Sequence, residues 1–267
     1  MRTLTPEELT DYAERYGLTA PLAQRDYVAV RVAHAIASDD TVMNSLAMKG
    51  GFVLRFGYGS PRTSKDLDGT IGTRHSNVDP VRVQRLVRNQ CQDISLRMGA
   101  FTTGVDSLDF GDISYSGPLG NGHLSLEMSF REDLVLPARA LTIDAFGVAP
   151  FKVRAIALNE MIAEKWRCLV ERRTKPGDPY DLWYLWSEVR TRKPMTADDL
   201  VDPAEVRRLV PRKTSFAGGL AGVGAALENY RRGWPAAIGD PLPTNAPKFS
   251  EVEAAVLEAA RAWTPWK

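Results

Sequence analysis

The chain lacks most of the compositional features that assign a function at a glance. It has two cysteines, Cys91 and Cys168, far apart in 267 residues and outside any metal-ligand spacing. That argues against a disulfide framework or a thiolate metal site and predicts reduced, inert thiols. No apolar run approaches the ~20 residues that span a bilayer. The opening Met1-Arg2-Thr3-Leu4-Thr5-Pro6-Glu7 has no signal-peptide core, so a soluble cytoplasmic protein is expected. Charge of one sign is lacking too. Lys and Arg number 34 against 33 Asp and Glu, a net charge of +1. Bulk electrostatics therefore selects neither for nor against nucleic acid, and any RNA contact must use a local patch. No repeat or low-complexity segment is visible. Apolar residues make up 44% of the chain, ordinary for a globular protein with one large core or two small ones.

Thr5-Pro6-Glu7-Glu8 reads as an N-cap, a proline at the first helical position and a first acidic turn. A second helix is predicted over 26–38. A short buried strand over 45–48 ends at Gly50-Gly51. A short helix follows over 52–56, then a loop over 57–61 and a strand over 66–71. A long helix is predicted over 81–98, with Arg82, Arg85 and Arg88 every three residues. Strands are predicted over 105–116 and 123–131 around a Gly-Pro-Leu-Gly-Asn-Gly turn, then near 141–146. Beyond Phe151 the pattern is mainly helical, with helices over 155–173, from Asp178-Pro179, and over 250–263. The prolines of 235–247 form an extended connection. The expectation is an α/β (α+β) protein in two domains, 1–153 and 154–267.

The informative stretch is Lys49-Gly50-Gly51 followed by Arg62-x-Ser64-x-Asp66-Leu67-Asp68. Side chains alternate along a strand, so Asp66 and Asp68 share a face while Leu67 points inward. Two carboxylates on one face are costly without a cation, and Mg²⁺ is commonly held by one or two carboxylates plus substrate phosphates. A Gly-Gly turn lets backbone N–H groups at a helix start approach an anion, with Lys49 adding charge. The plainer readings are a solvated Asp-x-Asp turn and glycines that merely turn a strand into a helix. Along 123–131 the polar residues occupy odd positions, which puts Glu127 on a polar strand face, as a third ligand, a base or a surface glutamate. Asp109, Asp112 and Asp144 are weaker candidates.

In the helix over 155–173, Leu158, Met161, Ile162 and Leu169 form an apolar stripe on which Lys165 lies. Its ammonium either snorkels to water or faces an anion. Asp178 before Pro179 reads as an N-cap, with Asp181 at the third helical position; that leaves open a role for Asp181 beside Lys165.

In order and spacing, Lys49-Gly50-Gly51, Arg62 through Asp68, Ala163-Glu164-Lys165 with Arg172 or Arg173, and Asp178-Pro-Tyr-Asp181-Leu182 resemble the four motifs of the AbiEii-type nucleotidyltransferase toxins, which include the mycobacterial MenT-type toxins. The resemblance spans roughly 45–190. It implies a nucleotidyltransferase-fold mixed sheet with flanking helices and a helical C-terminal domain contributing Lys165 and Asp181. It implies Mg²⁺-dependent transfer, with Mn²⁺ as a substitute, from a nucleoside triphosphate to RNA, with tRNA the acceptor in characterised members, and a cognate antitoxin. Asp66 and Asp68 would be metal ligands, and Lys49, Gly50, Gly51, Arg62 and Ser64 would serve the triphosphate. Lys165 would contact phosphate, and Asp178 or Asp181 would complete the site. Phe52 and Gly177 depart from the pattern, standing where a small hydroxyl residue and an arginine are usual.

Transfer to the tRNA 3′ end would block translation and growth. The alternatives are a small-molecule nucleotidyltransferase of the antibiotic-modifying kind and a nucleotide-binding regulator without transfer. Arg82, Arg85 and Arg88, with Arg172, Arg173, Lys175, Arg207, Arg208, Arg212, Lys213, Arg231 and Arg232, are candidates for an RNA track or for solvated helix faces. Ser64 is a candidate control point, since a charge there would repel a triphosphate.

Overall fold

The computed structural model describes residues 4–72, 78–92, 94–131, 133–171, 175–193, 200–214 and 219–263. Arg172 and Arg173, predicted at the end of a motif, lie outside the described residues. The chain divides into two compact units, Met1–Leu134 with Ala138–Ile156, and Val135–Pro137 with Ala157–Lys267.

The first unit opens with helix α1 (Pro6–Tyr16), started by the expected N-cap, which here forms a full capping box: Thr5 Oγ1 accepts from Glu8 N–H, and Glu8 accepts from Thr5 N–H. Helix α2 (Ala20–Ala37) begins six residues before the predicted start and is buried on nearly every side. Its burial includes Arg25, Asp26 and Arg31, which interrupt the apolar pattern a sequence reading relies on. Helix α3 (Asp40–Ser45) is capped by Asp39 and leads into strand β1 (Ala47–Lys49), helix α4 (Gly50–Tyr58) and strand β2 (Asp66–Thr70).

Helix α5 (Pro80–Gln90) stops eight residues short of its predicted end. The apolar stripe does continue through Ile94 and Met98. However, strand β3 (Ser95–Met98) pairs with β6 (Ile113–Gly117) in the register Leu96↔Tyr115 and Met98↔Ile113, and that ladder overrides helix propensity. The predicted strand over 105–116 is broken into β5 (Ser107–Asp109), paired with the short β4 (Thr102–Thr103), and β6. Strand β7 (Gly120–Ser129) follows, then β8 (Arg139–Ile143) and β9 (Phe151–Ala155). β9 was not predicted; it opens the stretch read as mainly helical and reaches the first residue of the helix predicted over 155–173. Its Val153 and Ala155 are buried at period 2, and it runs parallel to β1, with Ile156 N–H donating to the Met48 carbonyl at 3.0 Å.

The sheet is mixed, in the order β3-β6-β7-β2-β1-β9-β8, with β5 also on β7. The site depends on its centre, where β2 runs parallel to β7 and antiparallel to β1. Leu67, Leu124, Leu126 and Met128 fill the buried face, against which α2 packs.

The second unit is helical: α6 (Leu158–Val170), α7 (Gly177–Tyr184) running on into a π-helical turn at Leu185–Val189, α8 (Pro203–Lys213), α9 (Gly219–Arg231), α10 (Trp234–Ala237) and α11 (Phe249–Trp263). Val252, Val256, Ala259, Ala260 and Trp263 of α11 are buried, with Trp263 meeting Trp186 edge-to-face at 5.0 Å. The proline-rich stretch is not the predicted extended surface connection. It contains α10 and buries Ala237 and Leu242. Glu160, fully buried, accepts from the Val135 and Leu136 N–H groups and pairs with Lys213 Nζ at 2.9 Å. Thus the 135–137 excursion is tied to α6 by a carboxylate.

Candidate active site

The register sets one row of side chains across four strands. Lys49 on β1 lies opposite Asp68 on β2, Asp68 opposite Glu127 on β7, and Glu127 opposite Asp109 on β5. In-register neighbours share a face, so these four project from the same side of the sheet. One pair along, Asp66 lies opposite Ser125, whose hydroxyl donates to Asp66 Oδ1 at 2.5 Å. Glu127 is exposed and Asp66 and Asp68 are half-buried, while Leu67 between them is fully buried. The face predicted for Asp66, Asp68 and Glu127 is the observed one. Asp109, a weaker sequence candidate, stands beside Glu127 in the row. Ser125 was not singled out, although the same alternation places it on the polar face.

The two glycines tie the start of α4 to these acids. Gly50 has φ of +74°, and a Cβ there would lie 2.5 Å from Asp68 Oδ2. A Cβ on Gly51 would lie 2.7 Å from Ser64 Oγ and 2.8 Å from Arg62 Nη2. A side chain at either position would displace these groups, and the backbone conformation at Gly50 favours glycine as well. The N-cap residue, Lys49, makes no side-chain cap to the helix start, and helix N-termini suit anions. Arg62 is buried, with Nη1 on the Thr63 carbonyl at 2.9 Å. Ser64 Oγ donates to the Asp66 carbonyl at 2.9 Å, a local turn that directs the chain into β2. Phe52, at the departure from the motif, is buried with its ring 5.0 Å from that of Phe56; it belongs to the core and offers nothing to a phosphate.

Three further groups act on this segment and escaped the sequence reading. Arg55, from α4, donates from Nε to Asp26 Oδ2 at 2.5 Å and from Nη1 to the Ser60 and Pro61 carbonyls at 3.1 and 2.8 Å. Arg25 donates to Thr63 Oγ1 at 2.8 Å. Burial raises the Asp26 carboxyl above its ordinary range and the Arg55 charge opposes this; burial, then the Asp26 charge, likewise pushes the Tyr12 phenol up. The available signal was the charged dipeptide Arg25-Asp26 inside an apolar helix.

In the second unit, Lys165 does not snorkel. It is buried on α6, with Nζ 2.6 Å from Asp181 Oδ2 and 3.3 Å from Asp178 Oδ1. Asp178 is not the predicted N-cap. Helix α7 starts at Gly177 without a side-chain cap, which puts Asp178 inside the first turn. Its Oδ2 is buried and has no hydrogen-bond partner among the described residues, while Asp181 is fully buried. One ammonium between two buried carboxyl groups is an expensive arrangement to keep without a use.

Much of the proposed basic track is committed elsewhere. Arg82 pairs with Asp39 at 2.7 Å, Lys213 is buried against Glu160, and Arg231 bridges Glu228 and Glu253. Arg207 holds the Ala262 carbonyl, and Arg208 lies 3.6 Å from Glu205. Arg85, Arg88, Arg212 and Arg232 are exposed. Among the described residues no group of three or more His, Cys, Asp or Glu forms a metal cluster, and no helix is long and apolar enough to cross a membrane.

Mixed-sheet acids beside a glycine-started helix are the equipment of a nucleotidyltransferase, and solved structures share the fold. A putative nucleotidyltransferase from H. pylori is 16% identical with a TM-score of 0.60, over 91% of this chain and 95% of its own. MenT4, a nucleotidyltransferase toxin from Mycobacterium tuberculosis, is 21% identical with a TM-score of 0.63, over 99% and 91%. JHP933 from Helicobacter pylori is 15% identical with a TM-score of 0.55, over 91% and 92%. No curated protein matches the chain significantly. The model of the nucleotidyl transferase AbiEii toxin family, of the Type IV toxin–antitoxin systems, matches residues 33–258, and the chain belongs to that family. It is a nucleotidyltransferase toxin, and the family implies an antitoxin partner.

Proposed function

We propose that this enzyme transfers nucleotides from a nucleoside triphosphate to RNA in the cytoplasm, with the tRNA 3′ end as acceptor, and so blocks translation and growth. The observation that carries the reading is the contact of Gly50 with the Asp68 carboxylate, which sets the α4 N-terminus beside the two acids of β2. Two same-face carboxylates suit Mg²⁺, with Mn²⁺ as a substitute. Asp66 and Asp68 would hold the ion, which supplies charge neutralisation on the triphosphate. The Ser125 hydroxyl orients Asp66. The N–H groups at the start of α4, with Lys49, Arg62 and Ser64, bind phosphate oxygens. An acceptor hydroxyl attacks the α-phosphorus, Glu127 or one of the two aspartates accepts its proton, and pyrophosphate leaves. Lys165, poised by Asp178 and Asp181, is assigned to the charge developing on that leaving group.

Incubation of each of the four labelled triphosphates with total RNA and Mg²⁺ tests this, with sequencing of RNA 3′ ends to identify the acceptor. The commitment of Arg82, Lys213 and Arg231 to ion pairs favours a second reading, a small-molecule acceptor. Transfer to RNA weakens steeply with salt through counterion release, whereas transfer to a small neutral or cationic acceptor does not.

A further inference from the structure

The segment between Gly59 and Asp66 carries Arg62 and Ser64 to the start of α4, and side chains anchor it. The Ser60 and Pro61 carbonyls accept from Arg55 Nη1, and the Thr63 hydroxyl accepts from Arg25 Nη2. Ser60 and Thr63 are each 1% exposed, so at these two residues the anchors replace water. Arg55 is itself fixed. Its Nε is 2.5 Å from Asp26 Oδ2, its Nη2 donates to the Tyr12 hydroxyl at 3.2 Å, and that hydroxyl donates to the same Asp26 oxygen at 3.4 Å. Arg25 and Asp26 are consecutive on α2, so one buried turn of that helix reaches the segment twice.

A buried ion pair is weak evidence for a stabilising role, because hydrophobic residues of the same volume commonly do as well. What hydrophobic residues cannot do is hold two successive carbonyls of an irregular segment, and lysine lacks the fork for it. We infer that Asp26 acting through Arg55, and Arg25 acting through Thr63, are positioning residues that seat the Arg62 guanidinium and Ser64 hydroxyl on Gly51, and thereby set the affinity for the triphosphate. The inference rests on the nucleotidyl-transfer reading above.

The test is equilibrium binding of each nucleoside triphosphate with Mg²⁺ by calorimetry, with thermal unfolding and RNA transfer measured on the same preparations. Arg55→Lys and Thr63→Val each remove one anchor. With a folded protein, Arg55→Lys weakens triphosphate binding by about tenfold to a hundredfold, the range lost with a charge-assisted hydrogen bond. Thr63→Val, the milder change, weakens it by less, and neither alters the KM for RNA. Because Arg55 acts through its neighbours, Arg55→Lys added to Arg62→Ala costs no more than about twofold beyond Arg62→Ala alone. Wild-type affinity in both folded variants overturns the inference, as do fully additive losses in the double variant. Should Arg55→Lys fail to fold, Thr63→Val decides alone by the same criterion. If the wild type binds no triphosphate, the nucleotidyl-transfer reading falls first. If it binds and transfers while the anchors make no difference, only the positioning role falls.

Discussion

Substituting Gly50 by alanine separates backbone strain from displacement of Asp68, the proposed metal ligand. Gly50 has φ of +74° and Gly147 has φ of +61°, so alanine at either costs about 1–2 kcal/mol of left-handed strain. In a chain of this length that corresponds to a fall of a few degrees in Tm, roughly 2–4 °C per kcal/mol. The two sites differ in surroundings. Nothing lies within 4 Å of a Cβ built on Gly147, whereas a Cβ on Gly50 would lie 2.5 Å from Asp68 Oδ2, and real contacts essentially never fall below 3.0 Å. Asp68 or the α4 start must therefore retreat by about half an ångström or more, the tolerance within which reactive groups are held. Misplacement approaching 1 Å costs on the order of a hundredfold in rate. Gly50→Ala should lose between tenfold and a hundredfold of transfer activity, while Gly147→Ala loses stability alone. Differential scanning fluorimetry and labelled-nucleotide transfer on both variants make the comparison. Equal activity at equal Tm would refute the claim that Gly50 is there to admit Asp68.

Lys165→Met should cost about 3–5 kcal/mol in urea unfolding, since it strands the fully buried Asp181 without its cation, and Lys165→Met/Asp181→Asn should recover part of that loss. Asp39 caps α3 through the Val42 N–H. Burial raises its carboxyl, but the Arg82 hydrogen bond and the backbone N–H groups outweigh this and hold it below its ordinary value. Its stabilisation is therefore present above the unfolded pKa of about 3.9 and is lost as pH falls through the lower folded value. Asp39→Ala should cost about 1 kcal/mol at neutral pH, and the difference from wild type should shrink in unfolding curves taken below pH 4. Ser64→Glu should lower transfer and growth inhibition far more than Ser64→Ala, because the added charge lands against the α4 start; equal activity of Ser64→Glu and wild type would place this hydroxyl outside the phosphate site.

Which features could be read from the sequence follows from how local their causes are. The acids of β2, the polar face of β7 and the glycine turn are set within a few residues by strand alternation and by turn chemistry, and the structure has them on the predicted faces. β3 and β9 were missed because their pairing partners, β6 and β1, lie elsewhere in the chain, while β3 continues the stripe of the helix predicted over 81–98 and β9 opens the stretch read as mainly helical. Lys165 stood out as a cation on an apolar stripe. Asp178, one of its partners, was read as a cap because Asp-Pro is a strong helix-start signal, although the helix begins at Gly177. Arg55 had no local signature, and the charged dipeptide Arg25-Asp26 inside an apolar helix did not disclose its partners, Thr63 and Arg55, which depend on tertiary packing.

Nucleotidyl transfer is proposed to depend on Asp66 and Asp68. Its most direct measurement is incorporation of each labelled nucleoside triphosphate into RNA by the wild type, Asp66→Ala and Asp68→Ala, with Mg²⁺ and matched circular dichroism spectra. Incorporation by the wild type from at least one triphosphate, reduced at least about a hundredfold in both variants, is the predicted result. Undiminished incorporation by folded Asp66→Ala, or none by the wild type with any triphosphate, would contradict it.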